Sequence, residues 1–184
     1  NPVQAIGDYH QGFRWDDKHH RLIIGDFNGD MKDDIFLQGT HNKYRHGIAL
    51  ASNKGTFDTI AYDFDNAHLN LDWSSQSNNI FAGDFDGNGQ SELLFQPINM
   101  GYVSLVRSEK AFIDTLAQSY PNDHLGLSWL PKDHRVLIGD FNGDSKDDVF
   151  LLTTDNQQKS ALIPSDGKGF SAITQEIAQI PNLN

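Results

Sequence analysis

The chain has 184 residues, a formal net charge of −11 and no cysteine. It carries no run of about 18 apolar residues, so a membrane-spanning helix is excluded, and without thiols so are disulfide staples and metal–thiolate centres. An acidic surface repels nucleic acid and anionic membranes, and neither is expected as a partner. The sequence opens on Asn1 with no leader ahead of it, and is read as a processed mature form or a piece of a longer protein.

In chain order, the first feature is His10, followed five residues later by Trp15. Short apolar runs at 21–24 and 35–37 read as strands, split by Gly25-Asp26-Phe27-Asn28-Gly29-Asp30. Runs at 47–50 and 56–60 follow, and a linker over 63–78 then carries His68 and Trp73. The same order returns with strands at 79–82, 93–95, 102–106 and 111–116, where the loop is Gly83-Asp84-Phe85-Asp86-Gly87-Asn88. It returns again after His124 and Trp129, with strands at 135–138, 149–152, 160–163 and 170–173 and the loop Gly139-Asp140-Phe141-Asn142-Gly143-Asp144. The leading aspartates are 58 and 56 residues apart, and each follows its Trp by eleven residues. Three registers agreeing at one spacing mark three copies of one unit.

These runs are too short for helices and are bounded by Gly and Asp. Four short antiparallel strands per unit is the pattern of a β-propeller blade, and inner strands apolar on both faces suit a sheet held between neighbouring sheets. The expected fold is all-β: one repeat domain over 1–184, with blades at about 16–73, 74–129 and 130–184 and 1–15 as an inter-blade closure segment.

With the leading Asp as position 1, the loops place oxygen side chains at positions 1, 3, 5 and 9. These are Asp26, Asn28, Asp30 and Asp34, then Asp84, Asp86, Asn88 and Glu92, then Asp140, Asn142, Asp144 and Asp148. Position 7 would add a backbone carbonyl from Lys32, Gln90 or Lys146. Alternating oxygens on a tight glycine turn suit calcium, which takes six to eight oxygen ligands; magnesium demands stricter geometry and zinc prefers His and Cys. An Asp-Gly turn alone would account for one such loop. Three loops with the same four positions filled, each clustering three carboxylates, call for a cation. An EF-hand needs Glu at position 12, where Leu37, Phe95 and Leu151 stand, and flanking helices rather than strands.

The three segments over 25–34, 83–92 and 139–148 resemble FG-GAP repeats, the integrin α-subunit type of β-propeller repeat. The resemblance implies a blade with calcium in the loop between its first two strands. Positions 1, 3, 5 and 9 would serve as side-chain ligands and position 7 as a backbone ligand. Met31 and Ser145 depart from the usual glycine at position 6, and Glu92 is one methylene longer than Asp. Loop two is therefore expected to be the weaker or differently coordinated of three calcium sites.

The pairs His10/Trp15, His68/Trp73 and His124/Trp129 read either as sugar-stacking platforms or, preferably, as aromatic wedges between blades. His20 and His134 read as hydrogen-bonded surface histidines. No nucleophile elbow, P-loop or zinc-protease motif is present, so no catalytic residue is assigned and the chain is expected not to be an enzyme. The expected function is a calcium-stabilised, lectin-like or adhesive module at the cell surface or secreted. It would bind protein or glycan through the loops between second and third strands, including 41–46 and 155–158. The alternatives are a structural propeller segment of a larger secreted toxin or adhesin, and a carbohydrate-active enzyme. Three blades are too few to close a ring, so a homodimer or partner blades are expected.

Overall fold

A computed structural model describes residues 5–99, 101–154 and 158–177. A two-stranded ribbon, β1 (Tyr9–His10) with β2 (Phe13–Arg14), precedes three four-stranded sheets. The first sheet is β3 (His20–Gly25), β4 (Asp34–Gly39), β5 (His46–Leu50) and β6 (Thr59–Phe64). The second is β7 (Asn78–Gly83), β8 (Glu92–Pro97), β9 (Tyr102–Glu109) and β10 (Phe112–Pro121). The third is β11 (His134–Gly139), β12 (Asp148–Thr153), β13 (Ser160–Ile163) and β14 (Gln175–Ile177). Every pairing is antiparallel and joins strands adjacent in sequence.

The register repeats as faithfully as the sequence. Gly25 opposes Asp34, Gly83 opposes Glu92 and Gly139 opposes Asp148, so each Asp-rich loop closes the hairpin between a sheet's first two strands. Position 9 is then the first residue of the second strand, and its side chain is buried in all three units. β8 is buried along its whole length, as a strand between two packed faces must be.

The sheets stack face to face like blades. Ile23, Phe27, Phe36 and Ile48 of the first meet Ile80, Phe95, Val106 and Ile113 of the second in one apolar cluster. Phe85, Leu94 and Leu105 of the second meet Val136, Val149, Leu151 and Ile163 of the third in another. Trp73 fills the first joint, its ring 4.6 Å from Phe64 and 4.7 Å from Phe95, and both Trp73 and Trp129 are fully buried. The first strands β3, β7 and β11 are neighbours across the stack.

Two expectations change. The fourth strand of unit three lies at 175–177 rather than 170–173, because Phe170 turns inward to the core against Phe85 and Trp129. In units one and two the fourth strand lies at 59–64 and 112–121 rather than 56–60 and 111–116, which shortens both linkers. The expected binding loop over 155–158 falls partly on 155–157, which lie outside the described residues.

Candidate functional site

Each Asp-rich loop is wound around its position-1 carboxylate. Asp26 Oδ1 accepts the amides of Asn28, Gly29 and Asp30, at 2.7 Å from Gly29, and Oδ2 accepts that of Met31 at 2.6 Å. Asp84 collects Gly87, Asn88 and Gly89, and Asp140 collects Gly143, Asp144 and Ser145. Position 3 accepts the amide of position 5 in every loop. This winding needs a left-handed backbone at positions 4 and 6: glycine supplies position 4 in every loop (Gly29, Gly87, Gly143), whereas position 6 is Gly89 in loop two but Met31 (φ 64°) and Ser145 (φ 66°) in the others.

The loops differ in what remains free. In loop one, Asp34 Oδ2 accepts the Phe27 amide at 3.2 Å and Oδ1 the Ala51 amide at 2.8 Å. In loop three, Asp148 likewise accepts the amides of Phe141 and Ser165, at 3.2 and 3.0 Å. Both oxygens of each buried aspartate therefore serve the fold. Lys32 and Lys146 fold their ammonium groups back onto Asp30 and Asp144, holding both carboxyls below the usual range.

Loop two has neither restraint. Glu92 Oε2 accepts the Phe85 amide at 2.8 Å, while Oε1 is buried with no hydrogen-bond partner. Position 7 is Gln90, whose side chain accepts the Lys110 amide instead of neutralising the loop. Carboxylate oxygens of Asp84, Asp86 and Glu92 converge within 4.8 Å of one another. Burial, with Asp86 and Asp84 adding repulsion, pushes the Glu92 carboxyl up to about 8. A buried carboxylate oxygen with no donor and two acidic neighbours is a donor set that fits a hard cation. Arg107, absent from the sequence reading, lies nearby with Nη2 3.8 Å from Asp86 and 3.1 Å from the Gly167 carbonyl. It lies on β9 outside the repeated loop, so no motif spacing marks it.

The His/Trp pairs form a clip. Each Trp indole N–H donates to the carbonyl of its own His, at 3.0, 2.8 and 3.2 Å for Trp15, Trp73 and Trp129. His10, His68 and His124 in turn hold the carbonyls of Phe57, Ile113 and Phe170 through Nε2. Trp73 and Trp129 expose no ring face on which a sugar could stack. His20 and His134 are buried, not superficial, because each spans from the linker to the strand-three entry. His20 meets the carbonyls of Arg14 and Arg45, and His134 those of Ser128 and Lys159.

Two clefts occupy equivalent places at the opposite ends of the strands from the Asp-rich loops. Cleft one, about 240 Å³, is lined by Gly12, Phe13, Arg14, Lys43, Tyr44 and Arg45, among others. Cleft two, about 370 Å³, is lined by Asn70, Leu71, Asp72, Asn99, Gly101 and Tyr102, among others. Gly12, Arg14 and Tyr44 stand 58 residues before Asn70, Asp72 and Tyr102. Each cleft thus joins a linker turn to the connection between strands two and three, with a tyrosine in that loop in unit one (Tyr44) and at the start of the third strand in unit two (Tyr102). One rim is cationic, the other acidic and amide-rich.

Residues 26–95 match the FG-GAP-like repeat family, as the resemblance of the loops implied. No curated protein matches the chain by sequence. Among solved structures, a lectin from Agrocybe aegerita, described as specifically recognising non-reducing terminal N-acetylglucosamine, is 18% identical with a TM-score of 0.56. The match covers 91% of this chain and 40% of the lectin. An exotype rhamnogalacturonan lyase is 10% identical with a TM-score of 0.48, covering 90% of this chain and 39% of the lyase. The chain therefore spans about two fifths of the length of the solved structures it matches. The fold is all-β, of propeller-blade type. The expectation that the chain is not an enzyme is withdrawn, because it rested on the absence of familiar motifs and that absence does not exclude catalysis on such a fold.

Proposed function

We propose that the chain is a cation-stabilised recognition module that binds a carbohydrate or protein partner through the loops between its second and third strands. The observation that carries this reading is the pair of repeat-equivalent clefts, each setting a tyrosine beside polar side chains at the mouth of a rigid sheet. Aromatic faces flanked by hydroxyl-binding groups suit sugars, and loops on a rigid scaffold are where binding residues concentrate. The lectin that shares this fold recognises a terminal sugar, which makes glycans the first ligands to try.

Calcium is the cation this reading assigns. Asp84, Asp86 and Glu92 would hold it with Asn88, and the free Glu92 oxygen ranks loop two first, ahead of loops one and three. Calcium at extracellular concentration fills modest oxygen sites of this kind, and the protein is accordingly assigned to the secreted or cell-surface space.

A glycan array probed with and without calcium tests the proposal, using the wild type and the Tyr44→Ala and Tyr102→Ala variants. Binding that needs calcium and falls at least tenfold with either tyrosine supports it. An array left empty by a folded, calcium-loaded protein removes the carbohydrate reading. It leaves a protein ligand or a structural segment of a larger secreted toxin or adhesin.

A further inference from the structure

The third strands break the repeat at one position. Ala49, Val106 and Ile163 oppose equivalent residues of their second strands, so Leu50, Arg107 and Pro164 share one place in the repeat. Leu50 packs against the apolar cluster of the first joint. Arg107 instead carries a guanidinium into the second joint, between the second and third sheets. There its Nη2 donates to the Gly167 carbonyl at 3.1 Å and stands 3.8 Å from Asp86, a loose ion pair beyond hydrogen-bonding reach. Its Nε is buried with no hydrogen-bond partner. A guanidinium offers five N–H donors in a rigid fork, and a buried donor without an acceptor destabilises the fold.

Arg107 lines a cleft of about 640 Å³, larger than either tyrosine cleft and at the other end of the strands, beside loop two. All its residues lie between positions 86 and 168, on two sheets that pack on each other. One wall is β10, whose register with β9 slips between Ile113 and Thr115 and again between Leu116 and Gln118. Such bulges bend a strand and re-aim its side chains. Thr115, paired across from Arg107, and Gln118 line the cleft, with Leu116 between them 39% exposed. The facing wall is the connection between β13 and β14, where Gly167 takes a left-handed backbone (φ 81°) and Lys168 is exposed. Two cations thus face hydroxyl and amide groups across a space of the size that small ligands occupy.

We propose that this cleft binds the carboxylate of an acidic sugar, a hexuronate of a glycan. A guanidinium fork matches a carboxylate through parallel N–H···O bonds, and Lys168 adds a second positive charge. The walls narrow the class further. Thr115 and Gln118 both donate and accept hydrogen bonds, as sugar hydroxyls require. Asp86, beside Arg107, only accepts. It repels sulfate and phosphate esters, which bring acceptor oxygens alone, but takes a hydroxyl as donor. A peptide carboxylate would satisfy the two cations and bring no hydroxyls for Thr115, Gln118 and Asp86. Leu116 offers an apolar surface to the C–H face of a sugar ring. The site stands apart from the tyrosine clefts and does not depend on what those bind.

Calorimetric titration of the whole chain with methyl glucuronide, and with methyl glucoside as its neutral match, tests this. Glucuronide should bind at a single site, roughly tenfold or more tighter than the glucoside. Arg107→Gln and Lys168→Glu should each weaken it by roughly the same factor, with circular dichroism checking that each variant is folded. Lys168 is exposed, so its variant decides the matter if Arg107→Gln does not fold. Lys54→Glu makes the same charge change on the corresponding connection of the first sheet and should leave the affinity unchanged. Glucuronide that binds no tighter than glucoside, or that a folded Arg107→Gln still binds as wild type does, overturns the proposal. A Lys54→Glu loss equal to that of Lys168→Glu reduces the effect to net charge and overturns it too. Equal affinity for N-acetylaspartate amide gives the cleft to an acidic peptide and overturns it as well.

Discussion

Glu92 differs from Asp34 and Asp148 by one methylene, and that methylene changes what its carboxylate does. The aspartates use both oxygens to hold backbone amides, whereas Glu92 holds one amide and buries its other oxygen unpaired. Glu92→Gln should abolish the calcium response of loop two while leaving the calcium-free melt equal to wild type or above it, which differential scanning calorimetry with and without EDTA reads. Met31 presents a different strain, with a left-handed backbone and a side chain 94% exposed that packs on nothing. Relief of about 1–2 kcal/mol of strain, less the added freedom of the unfolded chain, should leave Met31→Gly about 0.5–1 kcal/mol more stable in urea titration. His46 sets a pH dependence. It is fully buried, accepts the Gly39 amide at Nδ1 and stacks on Phe64. Burial lowers its pKa from 6.5 to about 4, against the smaller raising effect of the Asn66 hydrogen bond. A depressed histidine leaves stability intact above its unfolded value, and stability is lost as pH falls from about 6.5 toward 4, by up to about 3 kcal/mol. His46→Gln should be less stable throughout but flatter across that window; an unchanged slope would remove His46 as the cause.

At the scale of elements, the joint between blades is an aromatic wedge beneath a stack of loops. Trp73 touches Phe36 and Phe64 of one blade and Phe95 of the next. Trp73→Ala should therefore cost about 3–5 kcal/mol. Trp15, which is only half-buried, should cost much less. Equal losses in the two variants would contradict the wedge. The strands were legible because buried sheets print apolar runs between Gly and Asp, and the loops because turn geometry and ligand geometry both demand fixed spacing. What was not legible depends on partners distant in sequence. Phe170 reads as strand but is drawn inward by Phe85 and Trp129. His20 reads as surface but spans two carbonyls 31 residues apart, at Arg14 and Arg45. The amides of Ala51 and Ser165 that occupy Asp34 and Asp148 come from just past the third strand of each sheet, so the loop spacing alone does not reveal which carboxylate oxygens are already engaged.

Across the whole molecule, acidity and stability are the same problem. A formal charge of −11 on 184 residues is self-repelling, and three divalent ions would bring it to −5. A ligand that binds only the folded chain stabilises it by mass action, about 2.7 kcal/mol for one site at one hundred times its Kd. For a chain of this length, each kcal/mol moves the melting temperature by roughly 2–4 °C. EDTA should thus lower the melt by roughly 5–10 °C for loop two alone, and calcium should restore it better than magnesium, which keeps its waters and tolerates less geometric variation. General screening would also raise the melt of an acidic protein, so sodium chloride at matched ionic strength is the necessary control. Specific binding predicts a rise that saturates at millimolar calcium or below, is not reproduced by sodium, and shrinks most in Glu92→Gln. A melt insensitive to EDTA, or one that sodium restores as well as calcium does, would reduce the three loops to Asp-Gly turns whose carboxylates serve only the backbone amides they already hold.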